Sequence, residues 1–171
     1  MTPRAIVAAA LLALAGAGTA QSPARLLTPD GYGPVRIGMT RAQVSAALHS
    51  PLEGEPIEDE ESCIELTATR GHPNLAFMFQ AGRLTRISLA GAGPIRTERG
   101  IGIGSTAAEV RRAYGPRIEA EVHEYLGAPG EYLTWWARPN RRGIRFETDN
   151  NRRVDVIHAG DGSVRFIEGC L

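Results

Sequence analysis

The chain has 171 residues, 43% of them hydrophobic and 22% charged, with 19 acidic side chains balanced by 19 basic ones. Length and composition suit one domain or two small ones, and a net charge of zero leaves no electrostatic footprint for nucleic acid. Every basic residue is arginine, so lysine Schiff bases, a phosphate-loop lysine and a lysine general base are all excluded.

Residues 1–20 read as a secretory signal. Arg4 forms the positive end, a run of about a dozen apolar residues follows, and small residues close it at Gly18, Thr19 and Ala20. Cleavage is expected after Ala20, with Ala24 as the second choice. The apolar run is too short and too alanine-rich for a membrane span. The expectation is a periplasmic or secreted protein with neither span nor lipid anchor.

Export gives the two cysteines a meaning. Cys63 and Cys170 would meet in an oxidising compartment, and a bond between them would close a loop of about 107 residues. A redox-active or metal-binding thiol pair would need a close Cys-x-x-Cys spacing or neighbouring histidines, and the sequence has neither. A structural disulfide is expected.

A motif recurs. Ile37-Gly38-x-Thr40-x-x-x-Val44 returns 66 positions later as Ile103-Gly104-x-Thr106-x-x-x-Val110. In each copy a short strand ends at glycine, threonine caps a helix, and a residue three positions on (Gln43 or Glu109) completes a capping box. His49-Ser50-Pro51 stops the first helix and Gly115-Pro116 the second. Strands are expected over 63–70, 75–80 and 84–90 in the first half, and over 122–126, 132–138, 143–148 and 154–159 in the second. A last strand over 164–168 brings Cys170 back. The division is a 21–34 lead-in, a first α+β module over 35–90, a 91–100 linker and a second module over 101–171. Each module is marginal alone, so one shared core is expected.

The Ile-Gly-Met-Thr-x-x-x-Val motif before a short helix and an antiparallel sheet resembles the SmpA/OmlA (BamE-like) outer-membrane assembly module. Two such modules in tandem are similar in arrangement to the β-lactamase-inhibitor protein fold. The resemblance spans about 35–90 and 101–170, and it implies an α+β fold of two modules. Ala17 stands where the assembly lipoproteins carry their lipidated cysteine, and the two cysteines here fall one in each module.

Other chemistry fares less well. Gly102-x-Gly104-x-x-Ala107 fits a dinucleotide loop, with Glu121 or Glu124 as ribose acid, but the following strands read as antiparallel and the repeat accounts for the glycines. Seven carboxylates from Glu53 to Glu65 lack the alternating Asp/Asn loop of a calcium site and read as a solvated acidic face. His49, His72, His123 and His158 have no metal spacing, and no nucleophile elbow accompanies them. No cofactor or metal is expected, and the protein is not expected to be an enzyme.

Over 132–138 neighbouring side chains point to opposite faces. Leu133, Trp135 and Ala137 are expected against the helices, with Ile144, Phe146 and Thr148 on the next strand. Tyr132, Thr134, Trp136 and Arg138 take the other face, with Arg145 and Glu147 beside Trp136. Tyrosine, tryptophan and arginine dominate interface hot spots, so Tyr132, Trp136, Arg138 and Arg145 are the candidate partner-binding residues. The alternative for this face is cover by a loop or by the other module. Arginines 138, 141, 142, 145, 152 and 153 cluster there, opposite in sign to the acidic stretch. The reading is a monomeric, exported, non-enzymatic protein that recognises another envelope or extracellular protein through an open sheet face, as an assembly factor or inhibitor. The alternative is a small hydrolase or ligand carrier using His123, Tyr125 and nearby acids.

Overall fold

A computed structural model describes residues 25–54, 62–138 and 141–170. Residues 1–20, where a secretory signal is expected, and Glu55, Glu58, Asp59, Glu60 and Glu61 of the acidic stretch lie outside the described residues.

Each repeated motif builds the same device. Thr40 and Thr106 hold extended backbone (φ −76° and −79°), and their hydroxyls accept the N–H of Gln43 and Glu109. Those side chains return to the cap N–H, so helices α1 (Arg41–Leu48) and α2 (Ala107–Tyr114) begin in complete capping boxes. His49 ends α1 in left-handed backbone, and Gly115 ends α2. Just before each helix, the motif glycine ties the helix start to a strand. Gly38 N–H donates to Leu84 O and Leu84 N–H to Met39 O, at 2.7 and 2.8 Å; Gly104, Val154 and Ser105 repeat the exchange at 2.8 and 2.8 Å. Arg83 and Arg153, each one residue before that strand residue, both reach the motif glycine's carbonyl, at 3.4 and 2.8 Å.

Three two-residue strands, β1 (Leu27–Thr28), β2 (Gly31–Tyr32) and β3 (Val35–Arg36), form a small sheet in that order. The remaining strands are β4 (Leu52–Glu53), β5 (Cys63–Ala68), β6 (Leu75–Gln80), β7 (Arg83–Ala90), β8 (Glu119–Val122), β9 (Glu131–Arg138), β10 (Arg142–Thr148) and β11 (Val154–Gly160). They make one antiparallel sheet, β4-β5-β6-β7-β11-β10-β9-β8, with β7 and β11 paired at its centre from Ala90↔Val156 to Arg86↔Gly160. The chain is therefore α+β and dominated by strands. One apolar cluster runs from Leu27 and Val44 through Phe77 and Ile87 to Trp135, Phe146 and Ile157, so the two halves share a core. Among the described residues no helix is long and apolar enough to cross a membrane.

Cys63 on β5 is bonded to Cys170, with their Cα atoms 5.4 Å apart. Residues 162–170 thereby cross the sheet face opposite the helices as a strap. Three expected elements are corrected. The strand over 164–168 is instead a 3-10 turn (Gly162–Arg165) followed by irregular backbone. The strand over 122–126 lies earlier, as β8, because the His123 imidazole accepts the N–H groups of Tyr125 and Leu126 and turns the chain. The lead-in over 21–34 contains β1 and β2.

The parity of the tryptophan strand is as expected at its centre. Leu133 and Trp135 are buried, and Trp135 meets Tyr114 of α2 edge-on at 5.3 Å; Ala137, expected beside them, is exposed. Trp136 lies over Gly143, its partner on β10. A Cβ at Gly143 would come within 2.6 Å of Trp136 Cε3 and 2.8 Å of Trp135 O. Gly143→Ala is expected to cost roughly 1–3 kcal/mol by overpacking and to shift tryptophan fluorescence; a melt and an emission spectrum matching wild type would refute this placement.

Candidate functional site

The four candidate binding residues do not share one open face. Tyr132 and Arg145 are only 2% and 3% exposed, Trp136 is half-buried, and Arg138 is exposed at the end of β9. The Arg145 guanidinium lies 3.8 Å from the centre of the Tyr132 ring and pairs with Glu121 at 3.3 Å. His123 stacks on the same ring at 4.4 Å. Trp136 Nε1 donates to Glu119 Oε2 at 3.3 Å. Glu147 pairs with Tyr132 across the strands and Gly143 with Trp136, so Glu147 is not the neighbour of Trp136 that alternation suggests.

The strap is the cover. Its own Ser163 and Val164 are buried, and buried Arg86 anchors it by donating to Ser163 O at 3.2 Å and Phe166 O at 2.7 Å while pairing with Glu65 Oε1 of β5 at 2.7 Å. A polar face that looks open in the sequence is thus a polar interior layer, many of whose groups pair with one another while Arg86 Nε, Thr134 Oγ1 and Ser163 Oγ are left without a partner.

At the middle of that layer, Ser88, His158 and Glu147 stand on β7, β11 and β10. Ser88 Oγ is 2.8 Å from His158 Nδ1, and His158 Nε2 is 3.1 Å from Glu147 Oε1. The arrangement is consistent when the serine hydroxyl donates to Nδ1 and Nε2–H donates to the carboxylate. Glu147 Oε2 also lies 3.8 Å from Nε2 of His123, whose Nδ1 accepts two backbone amides. Burial, more than any other influence, holds the His158 pKa below its ordinary value. Burial raises that of Glu147, but the hydrogen bond and charge of His158, with His123 and Arg145, leave it lowered. Hydroxyl, imidazole and carboxylate in series can activate a nucleophile. Here the series runs sideways across the sheet, its imidazole is enclosed, and its carboxylate also serves His123. His123 and Tyr125, the other catalytic candidates, are neighbours with ring centres 6.4 Å apart, but His123 is buried against the Tyr132 ring while Tyr125 is exposed.

Exposed apolar surface collects elsewhere. Of the six exposed large hydrophobic side chains among the described residues, five (Val122, Tyr125, Leu126, Phe166 and Ile167) belong to the end of β8, the turn after it and the strap. Tyr125, Phe166 and Ile167 line a cleft of about 870 Å³ beside the disulfide. Tyr125 donates to Glu168, which pushes the phenol up to about 12. Arg165 binds Glu119 and joins the strap to β8. Sequence reasoning does not reach this corner because the residues that make it lie in a turn and a strap whose apolar residues read as strands. Among the described residues, no group of three or more His, Cys, Asp or Glu side chains is placed to hold a metal.

No family model matches the chain, and no curated protein does. Among solved structures, a DUF4309 family protein (YjgB) from Bacillus subtilis aligns over 71% of this chain and 78% of its own, at 16% identity and a TM-score of 0.46.

Proposed function

We propose that the chain is an exported, non-enzymatic protein-binding protein of two tandem SmpA/OmlA-like modules, and that it takes its partner at the corner made by β8, the turn after it and the strap. The concentration of Val122, Tyr125, Leu126, Phe166 and Ile167 at that corner carries the proposal. The tandem reading draws support from the matched exchanges of Gly38 with Leu84 and Gly104 with Val154.

The corner favours one kind of occupant. β8 is an edge strand, all four of its residues are exposed, and no described strand pairs with its outer side. Such an edge accepts an extended segment by backbone pairing, while side-chain contacts select it. The surrounding charges are Glu119, Glu121, Glu124 and Glu168 against Arg165, so the matching segment is apolar with basic flanks. Trp136, one of the four residues named from the sequence, is bonded to Glu119 of β8, which supports a part for it at this corner.

A photo-crosslinking residue at position 122, with position 42 on α1 as the control, tests the proposal in the source envelope. One adduct specific to position 122 is expected. Its purified partner should then lose at least about ten-fold in affinity against Tyr125→Ala and Ile167→Asp, as hot-spot truncation does. Equal adducts at both positions, or full affinity in both variants, would sink the proposal.

A further inference from the structure

We propose that a second cleft, between the start of the small sheet and the loops at 71–74 and 92–96, binds a small organic carboxylate with an apolar body. The cleft holds about 650 Å³ and shares no lining residue with the cleft beside the disulfide. That size falls within the range of small-molecule sites, which are mainly apolar with a few placed polar groups. Leu26, Tyr32 and Ile95 give it apolar walls, and Arg25, His72 and Arg96 are its polar groups.

His72 carries the inference. The residue is 95% buried, at 5% exposure, and its ring meets Tyr32 edge-on at 5.8 Å. Its Nδ1 is shut off from solvent without a hydrogen-bond partner. Five other buried side-chain atoms among the described residues share that state, but of these residues only His72 lines this cleft, where a ligand group can supply the missing bond. Binding requires the ring to reorient so that this nitrogen meets a ligand oxygen. Burial, with a smaller push from Arg25, favours the neutral imidazole, so His72 contributes a hydrogen bond and no charge.

Charge comes from the arginines. Arg25 acts on both Tyr32 and His72, and no described carboxylate pairs with it. Arg96 spends Nη1 on the carbonyls of Gly93 and Ile95, at 2.7 and 2.9 Å, and likewise has no carboxylate partner among the described residues. A carboxylate receives charge-assisted hydrogen bonds from such groups, while an alkyl or aryl body fills the space between Leu26, Tyr32 and Ile95. The remaining polar lining residue, Asn74, is occupied in holding Gly91 O and Ala92 O, at 3.3 and 2.9 Å.

The test titrates the purified protein with hexanoate and benzoate, and with hexanol as a neutral counterpart, by calorimetry and by NMR of the histidine rings. Both acids should saturate and shift the His72 ring signals, with hexanol at least about ten-fold weaker, the loss of roughly one charged hydrogen bond. Arg25→Gln changes an exposed side chain, so its melting temperature should match wild type while acid affinity falls to the hexanol level. No saturable binding by either acid, saturation that leaves the His72 signals unmoved, or equal binding of acid and alcohol would overturn the proposal.

Discussion

Replacing Cys63 and Cys170 together by serine is expected to lower stability by about 4–5 kcal/mol and the melting temperature by on the order of 10–15 °C. The bond closes a separation of 107 residues, so cutting it returns a large loop entropy to the unfolded chain. Its structural effect is local to the strap. Without Cys170 the strap keeps Arg86 on the carbonyls of Ser163 and Phe166, and Arg165 on Glu119. Its last residues, Phe166 and Ile167 among them, are already more than two-fifths exposed and hold little surface of their own. The double variant is therefore expected to fray there and to be cut by trypsin after Arg165 well before wild type. Calorimetry with and without reductant checks the account. Reductant should bring wild type down to the variant and leave the variant unchanged. Equal melting temperatures for oxidised wild type and variant would remove the staple from the energetics.

What the sequence made legible follows from which forces are local. The capping boxes at Thr40 and Thr106 need only residues within one turn, and both are formed. The side of the sheet that Trp135 takes follows from alternation and a helix overhead, and its contact with Tyr114 is there. Alternation does not say what covers the second face. Residues 164–168 are rich enough in Val, Phe and Ile to read as a strand, yet Asp161 takes the Ser163 N–H and Arg86 takes the Ser163 and Phe166 carbonyls, so these groups join no ladder. Arg86 is 77 residues from Ser163, a distance no periodicity spans. β1 and β2 have two residues each, too few for a pattern to show. The His72 cleft is built from chain segments around 25–32, 71–74 and 92–96, none of which is patterned in sequence.

The second large effect is on pH. Stability is expected to fall as pH drops below about 6.5, in two stages whose order follows from two buried histidines and two hydrogen-bonded carboxylates. His158 and His72 titrate near 6.5 in the unfolded chain, and burial holds both lower in the fold. The unfolded state then takes up protons that the fold refuses, so stability is complete above 6.5 and declines as pH falls toward the folded values. The second stage belongs to carboxylates. Glu147 and Asp149 sit below their ordinary 4.5 and 3.8, Glu147 against the pull of burial and Asp149 chiefly through the Arg153 N–H. Their contribution is present above those ordinary values and is lost as pH falls through the folded ones. Glu147→Gln separates the stages. It takes the anion from between His158 and His123 and is expected to cost about 2–3 kcal/mol at neutral pH, the scale of a damaged buried charged hydrogen bond. It also removes the partner that favours His158 charging. The decline below 6.5 should therefore continue to lower pH in the variant, while the later carboxylate stage shrinks. Denaturant unfolding at about pH 7.5, 5.5 and 3 resolves the two. Wild-type stability that is flat or rising from the first of these to the second would contradict a neutral, enclosed His158. A variant with the wild-type profile would show that Glu147 does not hold the network together.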